Sequence, residues 1–287
     1  MRLPFFLARR FVAAETLEGA LPVVRELNRK GLFVTLDLLG EYIKDPELAN
    51  KARDLYIDLV HTLAKEREKN GLKASISIKL SMLGQKIDYD LGLGNLRALL
   101  AEAKAHDIFV RLDMEGSDVT ESTLSMFEAV YPDYPDHVGI VLQAYLKRTA
   151  KDVERMCELK ARVRLCKGAY KEPPEIAYQD MDVIRERYVA YMKQLLLHAR
   201  YPAIATHDDL LIDATKRFVA EHDISSDDFE FQMLYGIRPE TQVQIVKEGY
   251  HMRVYVPYGR MWLPYFTRRL RERKENIWFV VSNLFRK

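Results

Sequence analysis

Cysteine is scarce in this sequence, and long apolar runs are missing. The 287 residues include two cysteines, Cys157 and Cys166, and neither lies in a CxxC or Cys/His spacing typical of a zinc site. No stretch reaches the roughly 18 consecutive apolar residues that a membrane-spanning helix needs. The apolar run near the N-terminus is also too short for a signal peptide. These absences predict a cytoplasmic protein whose thiols stay reduced.

Signatures of several enzyme classes are missing as well. The seven histidines form no HExxH motif and no tight His/Asp cluster, so no metal site is expected. The sequence has no GxSxG elbow, no Walker loop and no GxGxxG turn after a predicted strand. Lys and Arg total 44 against 42 for Asp and Glu. This balance produces no overall field that would attract nucleic acid, so nucleic acid binding is not expected.

Short β-rich runs alternate with helical segments from Gly31 to the end of the chain. Each run is rich in Val, Ile or Phe, and the segments between them have helical periodicity. Eight such units in series, joined by short crossovers, favour an α/β fold closed into a (β/α)8 barrel of the TIM type over an open doubly wound sheet. The predicted strands are Leu32–Leu38, Lys73–Leu80, Ile108–Asp113, His137–Gln143, Arg162–Cys166, Ala203–Thr206, Phe229–Leu234 and Met252–Val256.

Capping residues mark several helix boundaries. Asp45–Glu47 predicts the start of a long helix, and Gly71 predicts its end. Another helix, Glu15–Lys30, is predicted before the first strand. No linker or change of composition divides the rest of the chain. We therefore predict an N-terminal helical segment at residues 1–30 and a catalytic barrel at residues 31–287.

Polar or aromatic residues end almost every predicted strand. In a (β/α)8 barrel the active site is assembled at the carboxyl ends of the strands, so these endings predict a large polar site at one mouth. Strand alternation directs Lys79 into the barrel, where a buried lysine needs an anionic partner. By the same alternation Arg111 and Asp113 share a face, as do Arg162 and Arg164.

The last predicted helix has a distinctive face. Tyr265, Arg268, Arg269 and Glu272 follow the spacing i, i+3, i+4 and i+7, which places them on one side of a helix. Two guanidinium groups suit a carboxylate, and an aromatic ring suits apolar carbon, so this face could bind an amino acid. A solvated basic face is the alternative, and the helix taken alone favours that alternative.

Two motifs are specific enough to indicate a family. The run Arg164-Leu-Cys-Lys-Gly-Ala-Tyr170 resembles the RLVKGAY signature of proline dehydrogenases, with Cys166 in place of the usual valine. The helix from Tyr265 to Glu272 resembles the YxxRRxxE element of the same family. Shorter matches lie between them in the family order, and the resemblance extends from about Gly31 to Asn276. The chain resembles the stand-alone bacterial enzymes more than those fused to an aldehyde dehydrogenase.

The resemblance implies an FAD enzyme that oxidises L-proline to 1-pyrroline-5-carboxylate by hydride transfer from proline C5 to flavin N5. Family members often have Thr-His-Asn where this chain has Thr206-His207-Asp208, so only the first two positions are carried over. The cofactor contacts implied by the resemblance are Met114, Gln143, Arg164, Lys167, Gly168, Ala169, Thr206 and His207.

The resemblance also implies how substrate and electrons are handled. Lys79, Arg268 and Arg269 would hold the carboxylate, and Tyr255 and Tyr265 would pack on the ring. The implied catalytic residues are Arg164, near flavin N5, and Asp113, hydrogen-bonded to Tyr255. Glu41 would gate the entrance by pairing with Arg268. A membrane quinone would reoxidise the flavin, with the enzyme peripheral at the inner face of the cell membrane, and a separate pyrroline-5-carboxylate dehydrogenase would consume the product.

Two other functions remain open at this point. Lys79 on a barrel strand could form a Schiff base in a class I aldolase, where a nearby cation such as Arg164 would lower the lysine pKa. A barrel used only as an interaction module is the non-enzymatic alternative. That module would bind no cofactor, and it gives no reason for charged residues inside the barrel. A visible absorption spectrum separates a yellow flavoprotein from both alternatives.

Overall fold

The computed structural model describes residues 4–40 and 42–272, with residues 271 and 272 described by their backbone alone. Within these residues, α-helices and strands alternate, beginning and ending with an α-helix, and short 3-10 helices at Phe5–Leu7 and Leu80–Met82 precede α1 and α3. The strands are β1 (Phe33–Leu38), β2 (Ala74–Ile78), β3 (Val110–Leu112), β4 (Val138–Gln143), β5 (Val163–Cys166), β6 (Ala203–Ala205), β7 (Glu230–Leu234) and β8 (Met252–Tyr258). The helices are α1 (Leu17–Arg29), α2 (Pro46–Asn70), α3 (Tyr89–Ala105), α4 (Ser117–Val130), α5 (Thr149–Glu158), α6 (Met181–His198), α7 (Asp209–Glu221), α8 (Pro239–Lys247) and α9 (Trp262–Glu272).

The eight strands join in one closed parallel barrel, in which β8 pairs with β1. The registers place Thr35 of β1 between Ser75 of β2 and Tyr255 of β8. The predicted (β/α)8 barrel is confirmed, and the open doubly wound sheet is excluded. All eight predicted strands are present with small differences at their ends. For example, β8 extends to Tyr258 because its last residues pair with the end of β1.

The predicted helix boundaries rest on identifiable caps. The Asp45 side chain accepts a hydrogen bond from the backbone N–H of Glu47, and Gly71 ends α2 in the left-handed conformation at φ 64°. The first helix begins two residues later than predicted because the hydroxyl of Thr16 accepts from the N–H of Gly19 and caps it there. Its other end agrees with the prediction to within one residue.

The apolar core lies between the strands and the helices. Outward residues of neighbouring strands, such as Leu36, Ile76 and Val110, are fully buried there, and Val24 of α1 belongs to the same core. Inward positions are largely polar, in contrast to the bulky branched residues that fill many barrels of this type. Alternation along each strand therefore separates a helix-facing apolar layer from a polar barrel interior.

A second apolar cluster holds the last helix in place. The stretch from Phe5 to Val12, here called the N-terminal segment, buries side chains against Trp262, Tyr265 and Phe266 of α9. Backbone hydrogen bonds fasten the chain just after this segment to the end of β8, since Ala13 N–H donates to Pro257 O at 2.9 Å and Gly259 N–H to Ala14 O at 2.9 Å. The apolar run near the N-terminus therefore packs against α9 and helps to hold that helix in place.

Candidate active site at the carboxyl ends of the strands

An acidic residue lies at the centre of the mouth. Asp113 directly follows β3, and its carboxylate accepts hydrogen bonds from Arg164 of β5 and from the hydroxyl of Tyr255 on β8, both at 2.7 Å. The Lys79 ammonium lies 4.0 Å from the same carboxylate. The hydrogen bond between Tyr255 and Asp113 that the family resemblance implies is present. Residues from β5 and β8 and from the positions just after β2 and β3 therefore meet at one point.

Lys79 points into the barrel and has the anionic partner that its position requires. Its ammonium donates to Asp37 of β1 at 2.7 Å, and both side chains are almost completely buried. Burial lowers the pKa of Lys79, but the neighbouring carboxylates of Asp37 and Asp113 raise it to a net value above that of an ordinary lysine. Lys79 is therefore held as an ammonium ion.

Arg164 is fixed by three strands besides its own. In addition to Asp113, its guanidinium donates to the amide oxygen of Gln232 at 2.6 Å and to the hydroxyl of Ser77 at 2.9 Å. The Arg164 side chain is almost fully buried. A cation with this many partners has one orientation, which is what a group that stabilises a developing charge needs.

A cavity of about 230 Å³ joins Lys79 to the last helix, and Tyr42, Met261 and Tyr265 also line it. The guanidinium carbons of Arg268 and Arg269 lie 6.0 and 5.2 Å from the centre of the Tyr265 ring. The structure thus brings the helix face predicted for an amino acid next to the predicted inward lysine. A concave space of this size suits a small molecule.

A larger polar basin of about 580 Å³ opens at the ends of β5, β6 and β7. Three cations line it, and each is paired with an acidic residue. Lys167 and Arg185 donate to Asp208 at 2.9 and 2.8 Å, and Arg238 donates to Asp209 at 2.6 Å. Burial raises the pKa of Asp208, but its hydrogen bonds to Arg185 and Lys167 overcome this and lower it overall. Such cations are well suited to phosphate oxygens.

The other predicted cofactor contacts lie around this basin or next to the central carboxylate. His207 lines the basin, and its Nε2 accepts from the N–H of Leu234 at 3.0 Å. The Thr206 hydroxyl accepts from the N–H of Asp208 at 3.1 Å. Gln143 donates to the backbone oxygen of Glu115 at 2.9 Å. Met114 is buried beside Asp113, and Ala169 is exposed.

Both the backbone conformation and the neighbouring Tyr145 ring require a glycine at position 168. Its φ is +118°, which disfavours a side chain, and an added Cβ would meet the ring of Tyr145 at 2.2 Å. The neighbouring Cys166 is a packing residue, since burial raises the pKa of its thiol to about 12 and keeps it protonated. The turn after β5 is therefore built around a glycine that packs against an aromatic ring.

Several residues of the site were not predicted from the sequence. Asp37 lies on the inward face of β1, and the same alternation that identified Lys79 could have found it. Gln232 also lies inward, on β7, but a glutamine carries no charge that demands a partner. Arg185 and Arg238 lie on or beside helices, where the sequence shows nothing that separates them from solvated arginines. The predicted gate, Glu41, lies outside the described residues.

One group of possible metal ligands lies on the helical surface, away from the mouth. His61 of α2 and Glu102 and His106 in and just after α3 have ligand atoms within 4.8 Å of one another. The Nε2 atom of His61 is 2.8 Å from the Glu102 carboxylate. The sequence contained no sign of this group because its members come from two helices. The prediction that the protein has no metal site stays a prediction.

No helix among the described residues is long and apolar enough to cross a membrane. The longest, α2, carries many charged residues along its 25 residues.

Comparisons with known proteins agree with the geometry. The family model described as proline dehydrogenase matches residues 20–282. Proline dehydrogenase 1 of Bacillus subtilis (strain 168) is 44% identical over 280 residues, which cover 98% of this chain and 91% of that protein. Proline dehydrogenase of Deinococcus radiodurans is 43% identical over 284 residues, which cover 98% and 90%.

A solved structure is similar along nearly the whole chain. The crystal structure of proline utilization A (PutA) from Bdellovibrio bacteriovorus, inactivated by N-propargylglycine, superposes with a TM-score of 0.87 at 29% identity. The match covers 93% of this chain and 32% of that one, so the chain is similar to about a third of the longer protein.

Proposed function

Because the chain belongs to the proline dehydrogenase family and oxidises proline with a flavin in proline catabolism, we propose that FAD is the cofactor and that the mouth described above is the active site. The observation that carries the proposal is the meeting of Lys79, Asp113, Arg164 and Tyr255 at one point. These residues come from four strands or the positions just after them, and Lys79 also lines the cavity. The proposed catalytic domain is residues 31–287, supported by the N-terminal segment.

The basin fits a flavin dinucleotide by its size and its charges. Lys167, Arg185 and Arg238 are paired with carboxylates, which phosphate oxygens can replace as partners. His207 lines the basin, Thr206 precedes it in the chain, and Gly168 and Ala169 directly follow Lys167. Met114 directly follows Asp113, and Gln143 donates to the backbone oxygen of Glu115, so we assign these residues to the flavin as well. When bound, a flavin supplies the acceptor for the hydride that leaves proline C5.

The catalytic roles follow from the hydrogen bonds. Arg164 presents a fixed positive charge, which favours the negative charge that accumulates on the acceptor as hydride is transferred. Asp113 holds Arg164 from one side and Tyr255 from the other. The Tyr255 hydroxyl is thereby fixed at Asp113, whose carboxylate lies 4.0 Å from Lys79 of the substrate cavity. Removal of a residue from this set should lower the rate more than it lowers binding.

Substrate binding is assigned to the last helix and Lys79. Arg268 and Arg269 are close enough to the Tyr265 ring to hold a carboxylate while that ring covers the pyrrolidine carbons. Lys79 lines the same cavity and adds a third positive charge. Because Asp37 already neutralises much of that charge, the two arginines should contribute more to carboxylate binding than Lys79 does.

The ammonium state of Lys79 argues against the aldolase alternative. A Schiff-base lysine must lose its proton to attack a carbonyl, and its pKa is usually lowered by burial or by neighbouring cations. Here two carboxylates raise the pKa of Lys79 despite its burial. The purified protein should therefore be yellow and should form no borohydride-trapped adduct with carbonyl compounds. A colourless protein that is trapped in this way would contradict the proposal.

The carboxylate site is tested by Arg269→Met. A charge-assisted hydrogen bond contributes about 1.5–3 kcal/mol, so we expect KM for proline to rise roughly 10- to 150-fold. Prolinamide, which lacks the carboxylate, should be a poor substrate for the parent enzyme and should lose little more in the variant. Steady-state rates with both substrates measure this difference.

The matched control is Arg260→Met, which removes an exposed guanidinium just before α9. It should leave KM for proline within about twofold of the parent value, since surface substitutions change binding little. Equal losses for proline and prolinamide in Arg269→Met would show that this arginine does not bind the carboxylate.

We also propose that a membrane quinone reoxidises the flavin and that the protein binds the membrane peripherally. We further propose that a separate pyrroline-5-carboxylate dehydrogenase consumes the product.

The peripheral membrane contact is supported by exposed apolar side chains near the mouth, which are Tyr42, Met261 and Leu263. Leu263→Ser should weaken vesicle binding, whereas Leu197→Ser, equally apolar but at the far end of α6, should not. Retention on membranes through carbonate washing would contradict a peripheral contact.

A further inference from the structure

The barrel interior contains a second cavity on the side away from the mouth. It measures about 30 Å³ and lies toward the amino ends of the strands. Four arginines line it, and they come from β3, β5, β8 and the residue before β5. A single carboxylate, Glu230 of β7, lies among them. The lining arginines are Arg111, Arg162, Arg164 and Arg253.

Two of these four cations have a carboxylate partner. Arg253 donates twice to Glu230, at 2.7 and 2.9 Å, and Arg164 donates to Asp113 at 2.7 Å. Within the described part of the chain, Arg111 and Arg162 form no ion pair. Arginine keeps its proton in proteins, so the lining retains two positive charges that no side chain balances.

Arg111 is the cation with the least compensation. It is 3% exposed, and one end of its guanidinium donates to the backbone oxygens of Ile140 and Arg162. Its Nε has no hydrogen-bond partner among the described residues. Burial and the neighbouring charges of Arg164 and Arg162 lower its pKa well below the usual value. An unpaired buried charge of this kind costs several kcal/mol in typical proteins.

Arg162 adds a second donor that is not used by the protein. Its guanidinium lies 4.2 Å from the centre of the Phe109 ring and 4.9 Å from that of Tyr201, and its Nε has no hydrogen-bond partner among the described residues. Aromatic faces attract a cation but leave its N–H groups unsatisfied. Two arginine N–H groups at one cavity therefore lack an acceptor.

We propose that this cavity binds one small monoatomic anion, which is chloride under ordinary conditions. About 10–15 Å³ is enough for one water-sized occupant, so a cavity of this volume holds a single small ion and excludes polyatomic anions such as phosphate. A halide accepts hydrogen bonds from both Nε groups and offsets part of the excess charge. The site lies below Arg164 and is separate from the substrate cavity and the basin.

Bromide locates the ion directly. Crystals of the holoenzyme grown or soaked in sodium bromide should give an anomalous scattering peak in this cavity, beside Arg111 and Arg162. Bromide peaks confined to the protein surface, with only water beside Arg111, would overturn the proposal. This measurement uses the unmodified protein, so it decides the question even where a variant fails to fold.

Thermal unfolding tests the site in solution. At constant ionic strength, replacing sodium gluconate by sodium chloride should raise Tm of the parent by roughly 2–4 °C, because an ion that binds only the folded state stabilises it. Arg111→Met should lose this chloride dependence. Arg67→Met, which removes a partly exposed arginine paired with Asp107 on the surface, should retain it. Equal chloride dependence in the parent and Arg111→Met would overturn the proposal.

Discussion

Asp113 links two strands of the proposed active site at the level of single residues. Its carboxylate receives one hydrogen bond from Arg164 of β5 and one from Tyr255 of β8. Burial, followed by the nearby Asp113 carboxylate, raises the pKa of Tyr255 well above that of an ordinary tyrosine. The Tyr255 hydroxyl therefore stays protonated and remains a donor throughout the usual pH range.

Tyr255→Phe removes one of these hydrogen bonds while keeping the ring. We expect kcat/KM for proline to fall by about tenfold or more, because a hydrogen bond to a charged group contributes about 1.5–3 kcal/mol. Most of the loss should be in kcat, since the proposed carboxylate ligands Arg268 and Arg269 are unchanged. Steady-state kinetics and the flavin absorbance of the variant measure the two effects.

Tyr89→Phe is the matched control, because Tyr89 is an exposed tyrosine at the start of α3. It should leave both kinetic constants unchanged within error. If Tyr255→Phe has the kinetics of the parent, the hydrogen bond to Asp113 serves only the fold.

Strand alternation explains which residues of the site could be predicted. Lys79 was found because a charged residue on an inward face needs a partner, and Asp37 meets the same criterion on the neighbouring strand. Gln232 could not be found in this way, because its role depends on the guanidinium of Arg164 approaching from another strand. The alternation along one strand predicts whether a side chain points into the barrel. Which residue it contacts there depends on how the strands are brought together in three dimensions.

At the scale of elements, the position of α9 depends on the N-terminal segment. Phe11 is completely buried, and its ring lies 6.4 Å from that of Phe266 on α9. The carbonyl of Arg10 lies so close to Gly236 that an added Cβ there would be 1.6 Å from its oxygen. The segment is therefore packed on one side against the loop after β7 and on the other against the helix that carries Tyr265 and Arg269.

Phe11→Ala should loosen this support. A buried phenylalanine truncated to alanine typically costs about 3–5 kcal/mol, here concentrated in the contact between the N-terminal segment and α9. We expect faster tryptic cleavage after Arg9 or Arg10 and a higher KM for proline, with a smaller change in kcat. Timed proteolysis and kinetics measure these effects.

Phe6→Ala provides the control within the same segment, because the Phe6 side chain is 50% exposed. It should change cleavage and KM little. Equal effects of the two substitutions would mean that general loss of apolar surface, and not the contact with α9, determines the result.

The same scale shows why elements were easier to predict than their packing. Capping at Asp45 and Gly71 and the β-rich runs are local, so the order of strands and helices could be read from the sequence. The contact between Phe11 and α9 joins residues more than 250 positions apart, and no periodicity reveals it. The division at residue 30 stays a prediction, although Val24 of α1 lies in the same core as the barrel strands.

At the scale of the whole molecule, the barrel interior is one polar network. Arg164 is bonded to Gln232, whose amide donates to Glu230, which in turn pairs with Arg253. This chain of contacts extends from the proposed active site to the amino ends of the strands and crosses β5, β7 and β8. Stability in such a barrel depends on how well the interior charges are matched, in addition to the apolar core.

Glu230 is the carboxylate on which this network depends. Burial would raise its pKa, but the Arg253 guanidinium and hydrogen bonds from Arg253 and Gln232 bring it down to about 2. A carboxylate whose pKa is lowered by folding stabilises the folded state above its unfolded pKa of about 4.3. That stabilisation is lost as the pH falls toward 2, because the folded protein must then take up the proton.

Glu230→Gln should therefore destabilise the protein in a pH-dependent way. At pH 7 the free energy of unfolding should fall by about 3–5 kcal/mol, since Arg253 is left buried without a carboxylate. The difference in free energy of unfolding between the parent and the variant should shrink as the pH is lowered from about 5 to about 3, because Glu230 becomes protonated in the unfolded parent. The contributions of all other carboxylates are the same in both proteins and cancel in this difference. Urea unfolding at several pH values measures the difference.

Glu26→Gln, which removes an exposed partner of Lys30, is the control, and its free energy of unfolding should stay within about 0.5 kcal/mol of the parent value at every pH. The parent and Glu230→Gln could instead differ in free energy of unfolding by the same amount at pH 7 and pH 3. That result would show that pairing with Arg253 does not lower the pKa of Glu230 in the parent.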